Sequence, residues 1–235
     1  MRPIRVHGGG KAINAAMEQA GLEAQFVQGR RYTDERTLAI AEHVLVNQIN
    51  KGIVETVDSF GSKGMGLHSL KSCAVFGKVL KLDGDEGRKI DIGLVGEVDW
   101  VNADLLNAIL DAGIVPVIAP IVRDAAGGKL NINADSVAGH VAASINAEKL
   151  VLVSDTHGIR RSEDVDDLAS HLTRAEIDEL ITSGVISAGM LPKVEASLTA
   201  VGAGVRKAHI IDGRIPHSLL LEVYTESGIG TEIVL

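Results

Sequence analysis

The 235-residue sequence predicts an α/β protein, an open, mostly parallel sheet with helices on both faces. Two continuous apolar runs, Ile114 to Ala119 and Leu150 to Val153, lack the alternation of a half-exposed strand and read as strands covered on both sides. Helical periodicity and capping signals fall between strand-like runs, so β and α segments alternate along the chain. Hydrophobic residues make up 46% of the sequence and glycines number 26, which suits one large or two modest domains able to bury a sizeable core.

In order, Ile4 to Val6 reads as a strand and Lys11 to Ala20 as a helix. Asp34 to about Val57 reads as a long helix, with apolar residues at Leu38, Ala41, Leu45, Ile49 and Ile53. Gly61 to Gly66 reads as a glycine-rich loop. Cys73 to Leu82 and Lys89 to Val98 form a hairpin joined by Asp83-Gly84-Asp85. Asn102 caps a helix that ends at Gly113, ahead of the Ile114 strand. Arg123 to Lys129 turns the chain into a strand that ends in asparagines, and Ala134 to Asn146 reads as a helix. Thr173-Arg174-Ala175-Glu176 is a capping box for a helix that stops at Gly184. Leu191 to Val201 is helical, and His209 to Ile211 and Glu232 to Val234 close the order as strands.

Four segments carry chemistry. In Leu130-Asn131-Ile132-Asn133-Ala134-Asp135, carboxamides and a carboxylate alternate with apolar residues. An extended backbone there sets Asn131, Asn133 and Asp135 on one side, at a strand end of the kind where open α/β sheets place ligands. The same pattern also fits a solvated strand followed by an Asn helix cap. His7-Gly8-Gly9-Gly10 lies between a strand and a helix, where glycine lets backbone N–H groups approach an anion closely. In Gly189-Met190-Leu191-Pro192-Lys193, Pro192 opens a helix and puts Lys193 in its first turn. A cation there opposes the helix dipole and suits an anionic ligand. Arg31, in Gly29-Arg30-Arg31-Tyr32-Thr33-Asp34, is able to hold a carboxylate through two parallel bonds.

Composition excludes several classes. A formal net charge of -8 argues against non-specific nucleic-acid binding, and 3% aromatic content leaves few stacking platforms for single strands. One cysteine, Cys73, excludes an internal disulfide and fits a reducing compartment. No apolar run reaches membrane-spanning length, and Met1-Arg2-Pro3-Ile4 does not open a signal peptide. A cytoplasmic protein without nucleic-acid or membrane partners is expected. The spacing of His43, His68, His140 and His171 gives no metal-ligand set, and Asp164-Val165-Asp166-Asp167 reads as a solvated acidic loop.

Taken together, these segments resemble the acetylglutamate kinases of the amino acid kinase family. Asp91 to Val98, Val115 to Pro120, and Leu152-Val153-Ser154-Asp155 with Gly158-Ile159 follow in the same order as in that family. The resemblance implies a three-layer α/β sandwich. It implies a lobe at 1–147 that binds N-acetyl-L-glutamate and dimerises, and a lobe at 148–235 that binds ATP with its Mg²⁺. By resemblance, Gly8, Gly9 and Gly10 cradle the transferring phosphoryl group, and Arg31, Asn131 and Asn133 hold the substrate. Lys193 neutralises phosphate charge and Asp135 orients lysines. Ser154, Asp155, Gly158, Gly189 and Met190 take the nucleotide. No protein-held metal is implied.

The segment Arg214 to Thr225 with Gly228-Ile229-Gly230-Thr231 is similar to the signature of arginine-inhibited members. It implies an arginine effector site at His217, Glu222 and Gly228, although an amphipathic helix and turn fit the same residues. A homodimer or higher homo-oligomer is implied. One feature departs from the family, which opens with a lysine-bearing strand ahead of the second glycine loop. Here that loop is reached by Gly8. The resemblance implies phosphoryl transfer from ATP to the side-chain carboxylate of N-acetyl-L-glutamate in arginine biosynthesis, expected to be weak or absent in these 235 residues as a fragment; the alternative is a non-catalytic chain that binds nucleotide or arginine. A kinase acting on a carrier-linked amino acid is the near alternative.

Overall fold

The computed structural model describes all residues except 71, 85–87, 163, 165–166, 187–188 and 226–227. The expected turn through Asp85 and the acidic run through Val165 and Asp166 lie outside the described residues. The chain forms two compact units, Met1–Val137 and Ala138–Leu235. The division falls inside a helix, ten residues ahead of the junction expected near Ala147.

In the first unit, β1 (Arg5–Val6), β7 (Ile114–Ile118) and β4 (Lys63–Leu67) make a parallel sheet in the order β1-β7-β4. The stretch read as a loop at Gly61–Gly66 is thus largely strand. Gly64 and Gly66 look like loop residues in sequence, but here they make room for neighbours. A Cβ at Gly66 would stand 2.3 Å from Asn50 Oδ1, and one at Gly64 would stand 3.2 Å from Val54 Cα. Strands β5 (Val75–Asp83), β6 (Lys89–Val101), β8 (Ile121–Arg123) and β9 (Lys129–Asn131) close into a small barrel. A further hairpin, β2 (Phe26–Val27) and β3 (Arg30–Arg31), turns through Gln28 and Gly29, both at positive φ, as a two-residue primed turn requires.

Helix α1 (Gly10–Gln19) packs Ile13 and Met17 against Leu38, Ala41 and Leu45. Asp34 accepts from the Thr37 N–H at 2.7 Å and starts α2 (Glu35–Glu42). The long helix then passes through a π-helical stretch, His43–Asn50, into α3 (Lys51–Ser59). Asn102 caps α4 (Ala103–Asp111), as its sequence predicts.

Helix α5 (Ala134–Ser144) begins in the first unit and ends in the second. The second unit carries a four-stranded sheet in the order β10-β12-β13-β11, from β10 (Lys149–Ser154), β11 (His171–Thr173), β12 (Lys207–Asp212) and β13 (Thr231–Val234). Strands β10 and β12 run parallel, with Ser154 opposite Asp212 at their carboxyl ends. The capping box at Thr173 and Glu176 opens α6 (Arg174–Thr182) as expected. Leu150, Leu152, Ala208, Ile210 and Ile233 face a core completed by Val194, Ala196 and Ala200 of α7 (Leu191–Gly202). The short α8 (Ser218–Tyr224) packs against β12. Among the described residues, no helix is long and apolar enough to cross a membrane.

Within the second unit, α5 and α7 approach closely. At Gly139 an added Cβ would lie 2.6 Å from the Ala196 carbonyl oxygen, so the C-terminal part of α5 sits backbone-to-backbone on α7. Gly139→Ala pushes these helices apart. Overpacking of this kind costs about 1–3 kcal/mol, and we expect the variant to lose that much stability in urea unfolding while keeping its secondary structure by circular dichroism.

Candidate functional site

The amino-terminal glycine run is positioned by a buried polar pair. His7 follows β1 and is buried, as is Asn50 at the end of the π-helical stretch. The Asn50 carboxamide Nδ2 donates to the Val117 carbonyl at 2.9 Å and lies 3.1 Å from His7 Nε2. His7 Nδ1 lies 3.1 Å from the Gly8 carbonyl, which only accepts, so the proton sits on Nδ1 and Nε2 accepts from Asn50. Burial pushes the His7 pKa down and keeps the ring neutral. Gly9 then caps α1 without any side-chain contribution, and the first turn of α1 holds no acidic residue. A Cβ at Gly9 would fall 2.6–2.7 Å from the tips of Ile49 and Leu45, so the loop hugs the long helix. Gly8 faces Ala134, the first residue of α5, so the N-termini of α1 and α5 come close together.

The extended stretch expected through Asp135 ends early. Strand β9 stops at Asn131. The Asn133 side chain accepts the Ser136 N–H at 3.0 Å and starts α5, which places Asp135 in the first helical turn. The helix-cap alternative therefore describes Asn133, and the three polar residues do not share one pleated face. They still gather within the first unit, since Asn133 and Asp135 flank Ala134 beside Gly8.

Arg31 and Asn131 meet through Thr33. The Asn131 Nδ2 donates to Thr33 Oγ1 at 3.4 Å, and the Thr33 hydroxyl donates to the Arg31 carbonyl at 2.9 Å. Thr33 is fully buried and is held on β6 by backbone bonds to Ile92 and Leu94. Gly93, at positive φ, makes this possible, because a Cβ there would lie 2.3 Å from the Thr33 carbonyl oxygen. The Arg31 guanidinium lies over the Phe26 ring at 4.8 Å and donates to Asn14 Oδ1 of α1 at 2.5 Å. Burial lowers its pKa from the usual value, yet a guanidinium stays cationic at neutral pH. Glycine loop, guanidinium and carboxamide thus belong to one constellation around α1, β6 and the start of α5.

In the second unit, Ser154 ends β10, and the loop after it lines a cavity of about 720 Å³ with Asp155, Gly158 and Met190. Gly158 is buried at positive φ, where a Cβ would press on Thr231 Oγ1 at 2.6 Å. That hydroxyl accepts the Ile159 N–H at 2.8 Å and donates to the Ala169 carbonyl at 2.6 Å, so β13 pins the loop. Lys193 lies in the first turn of α7 behind Pro192, as expected, and is half-buried. Gly189 stands just ahead of that helix in open space.

Glu222 of α8 is buried, pairs with His209 on β12 and accepts the Ile229 N–H at 2.8 Å. A Cβ at Gly228 would lie 2.8 Å from the same carboxylate, whereas His217 is exposed and left-handed at φ 60°. Among the described residues, no group of three or more His, Cys, Asp or Glu is placed to hold a metal ion.

Sequence reasoning passed over Thr33, Asn50 and Thr231, which hold the loops rather than line them. It also missed Asp212, and named Arg214 only as the start of the segment similar to the arginine-inhibited signature. Asp212 is fully buried and accepts from Arg214 Nε at 2.9 Å and Nη2 at 2.7 Å. The Arg214 bonds hold its carboxyl down at about 2. An acid-glycine-base triplet directly after a buried strand was the available signal.

The comparisons with known proteins agree with one another. The model described as the amino acid kinase family matches residues 1–212. An acetylglutamate kinase of Methanosarcina mazei is 44% identical over 99% of this chain and 82% of its own length. An acetylglutamate kinase of Moorella thermoacetica is 44% identical over 100% of this chain and 80% of its own. The crystal structure of smu.665 from Streptococcus mutans UA159 superposes with a TM-score of 0.81 at 29% identity, covering 98% of this chain and 85% of that one.

The depressed His7 pKa fixes a pH dependence. Below about pH 6.5 the unfolded chain takes up a proton that folded His7 resists, so the stability that rests on neutral His7 is present above that pH and declines as the pH falls below it. His7→Gln should flatten the loss of stability between pH 7 and pH 5, measured by urea midpoints at each pH.

Proposed function

The chain belongs to the amino acid kinase family, and from that premise we propose that it acts as an acetylglutamate kinase. It transfers the γ-phosphoryl group of ATP to the side-chain carboxylate of N-acetyl-L-glutamate and yields N-acetylglutamyl 5-phosphate and ADP in arginine biosynthesis. The observation that carries this reading is the 44% identity to acetylglutamate kinases over nearly the entire chain. The first unit takes the amino-acid substrate and the second takes ATP, which arrives with Mg²⁺ on its phosphates.

The chemistry explains the residue types. A carboxylate is already a nucleophile at neutral pH, so no general base is required. One of its oxygens attacks the γ-phosphorus, and the bond to the bridging oxygen of ADP breaks. The protein's task is to bring anions together and spread the charge on the transferring group. Backbone N–H groups of Gly8, Gly9 and Gly10 at the start of α1 receive phosphoryl oxygens. Arg31 holds the substrate α-carboxylate, and Asn131 and Asn133 bind its amide and carboxylate groups. Lys193 counters phosphate charge, with Asp135 orienting lysines rather than removing a proton. Ser154, Asp155, Gly158, Gly189 and Met190 hold the nucleotide.

The same reading includes a cytoplasmic homo-oligomer under arginine feedback through His217, Glu222 and Gly228. Glu222 is occupied by His209, so an arginine guanidinium would take the place of the imidazole.

Substrate order tests the reading. In a coupled ADP-release assay, turnover with N-acetylglutamate should exceed that with glutamate, aspartate or UMP, and equal turnover with any of the three would overturn the assignment. Lys193→Ala should lower kcat by about 10², whereas Arg31→Ala should mainly raise KM for the amino-acid substrate. An unchanged kcat in Lys193→Ala would remove Lys193 from the reaction.

A further inference from the structure

The turn after β12 is built in an unusual way for a surface turn. Asp212 ends the strand with its side chain buried, yet it carries a carboxylate. A buried charge is stable only when paired and hydrogen-bonded. Asp212 meets that condition three times. Its carboxylate accepts from the Arg214 backbone N–H at 2.9 Å, from the Nε and Nη2 edge of the Arg214 guanidinium, and lies 2.9 Å from His157 Nδ1. The Gly213 N–H donates to the Ser154 carbonyl at 2.8 Å, and a Cβ on Gly213 would stand 2.5 Å from Val153 Cγ1. The turn is therefore pressed onto the carboxyl end of β10, and Arg214 and His157 become part of the wall of the 720 Å³ cavity.

The clamp consumes one edge of the guanidinium. Nη1 makes no hydrogen bond among the described residues, and the side chain is 59% exposed. A cation fixed in this way has little rotamer freedom left to lose when it binds an anion. The rest of the cavity assigns the parts of a ligand. Val185, Ile186 and Met190 give apolar walls suited to a base, and the basic groups Arg160 and Arg214 suit phosphates, with Asp155 an acidic residue of the same lining.

We propose that Arg214, held by Asp212, is a contact for the phosphate oxygens of the nucleotide bound in this cavity, with Asp212 as its positioning residue. This rests on the nucleotide reading of the second unit given above. The contact is a charge-assisted hydrogen bond from Nη1. The carboxylate that pins the guanidinium also draws His157 to the same wall, so the buried acid organises both basic groups of the loop pair.

Equilibrium titration with ADP and with adenosine tests it, using the full chain and its Arg214→Gln and Arg214→Lys variants. Arg214→Gln leaves the buried Asp212 carboxylate with only His157 and the backbone N–H, so it lowers stability, and thermal melting sets a temperature at which each variant is titrated fully folded. The proposal expects Arg214→Gln to weaken ADP binding about tenfold or more, to leave adenosine binding unchanged, and to flatten the salt dependence of ADP binding. Partial retention is expected in Arg214→Lys, which keeps the charge and loses the two-pronged clamp. Equal weakening for ADP and adenosine would assign Arg214 to the base or ribose and overturn the proposal. A lower melting temperature with unchanged ADP affinity would mark a purely structural clamp and also overturn it. No ADP binding to the unaltered chain would overturn the nucleotide reading itself, and the proposal with it.

Discussion

One buried carboxamide ties the first unit together. Asn50 is 2% exposed, and its polar atoms reach the region of all three strands of the parallel sheet. Its Nδ2 bonds to Val117 on β7 and to His7 just beyond β1, and its Oδ1 occupies the space that Gly66 leaves open on β4. An unpaired amide at this depth is costly, so each partner is held to its place. The glycine loop inherits that order. It leaves a fixed histidine, cannot drift from Ile49 and Leu45, and delivers α1 with no acidic residue in its first turn.

A second chain of contacts runs from Gly93 through Thr33 to Arg31 and Asn131. Each link depends on the one before it. Positive φ at Gly93 admits the Thr33 carbonyl, Thr33 is sealed on β6, and its hydroxyl joins the Arg31 backbone to the Asn131 carboxamide. The arrangement gathers a cation, carboxamides and backbone donors in the first unit. That inventory suits the binding of anionic groups. In the second unit the equivalent order comes from Thr231 and Asp212, which fix the loop after β10 from the strands beside it.

Capping chemistry was legible in the sequence because it is local. Asp34, Asn102 and Thr173 start helices where their spacing says they should. The helix starts after the glycine run and at Pro192 were legible for the same reason. Features set by distant partners were not. Gly64 and Gly66 read as loop residues, but the long helix crosses so closely that only glycine fits in β4. The π-helical stretch has no sequence sign, since Ala41, Leu45, Ile49 and Ile53 keep ordinary i+4 spacing through it. Asn131 to Asp135 alternates like a strand, yet the cap formed by Asn133 ends the extended backbone. Thr231 and Asp212 lie far in sequence from the loop they hold, so the contact itself is not written in any local pattern.

The central claim is that a carboxylate oxygen attacks phosphorus, so the product is an acyl phosphate. Hydroxylamine trapping tests this most directly. With ATP, Mg²⁺, N-acetyl-L-glutamate and hydroxylamine present, the account predicts N-acetylglutamyl hydroxamate accumulating in step with ADP. ADP release without hydroxamate, or hydroxamate formation that does not require ATP, would contradict it.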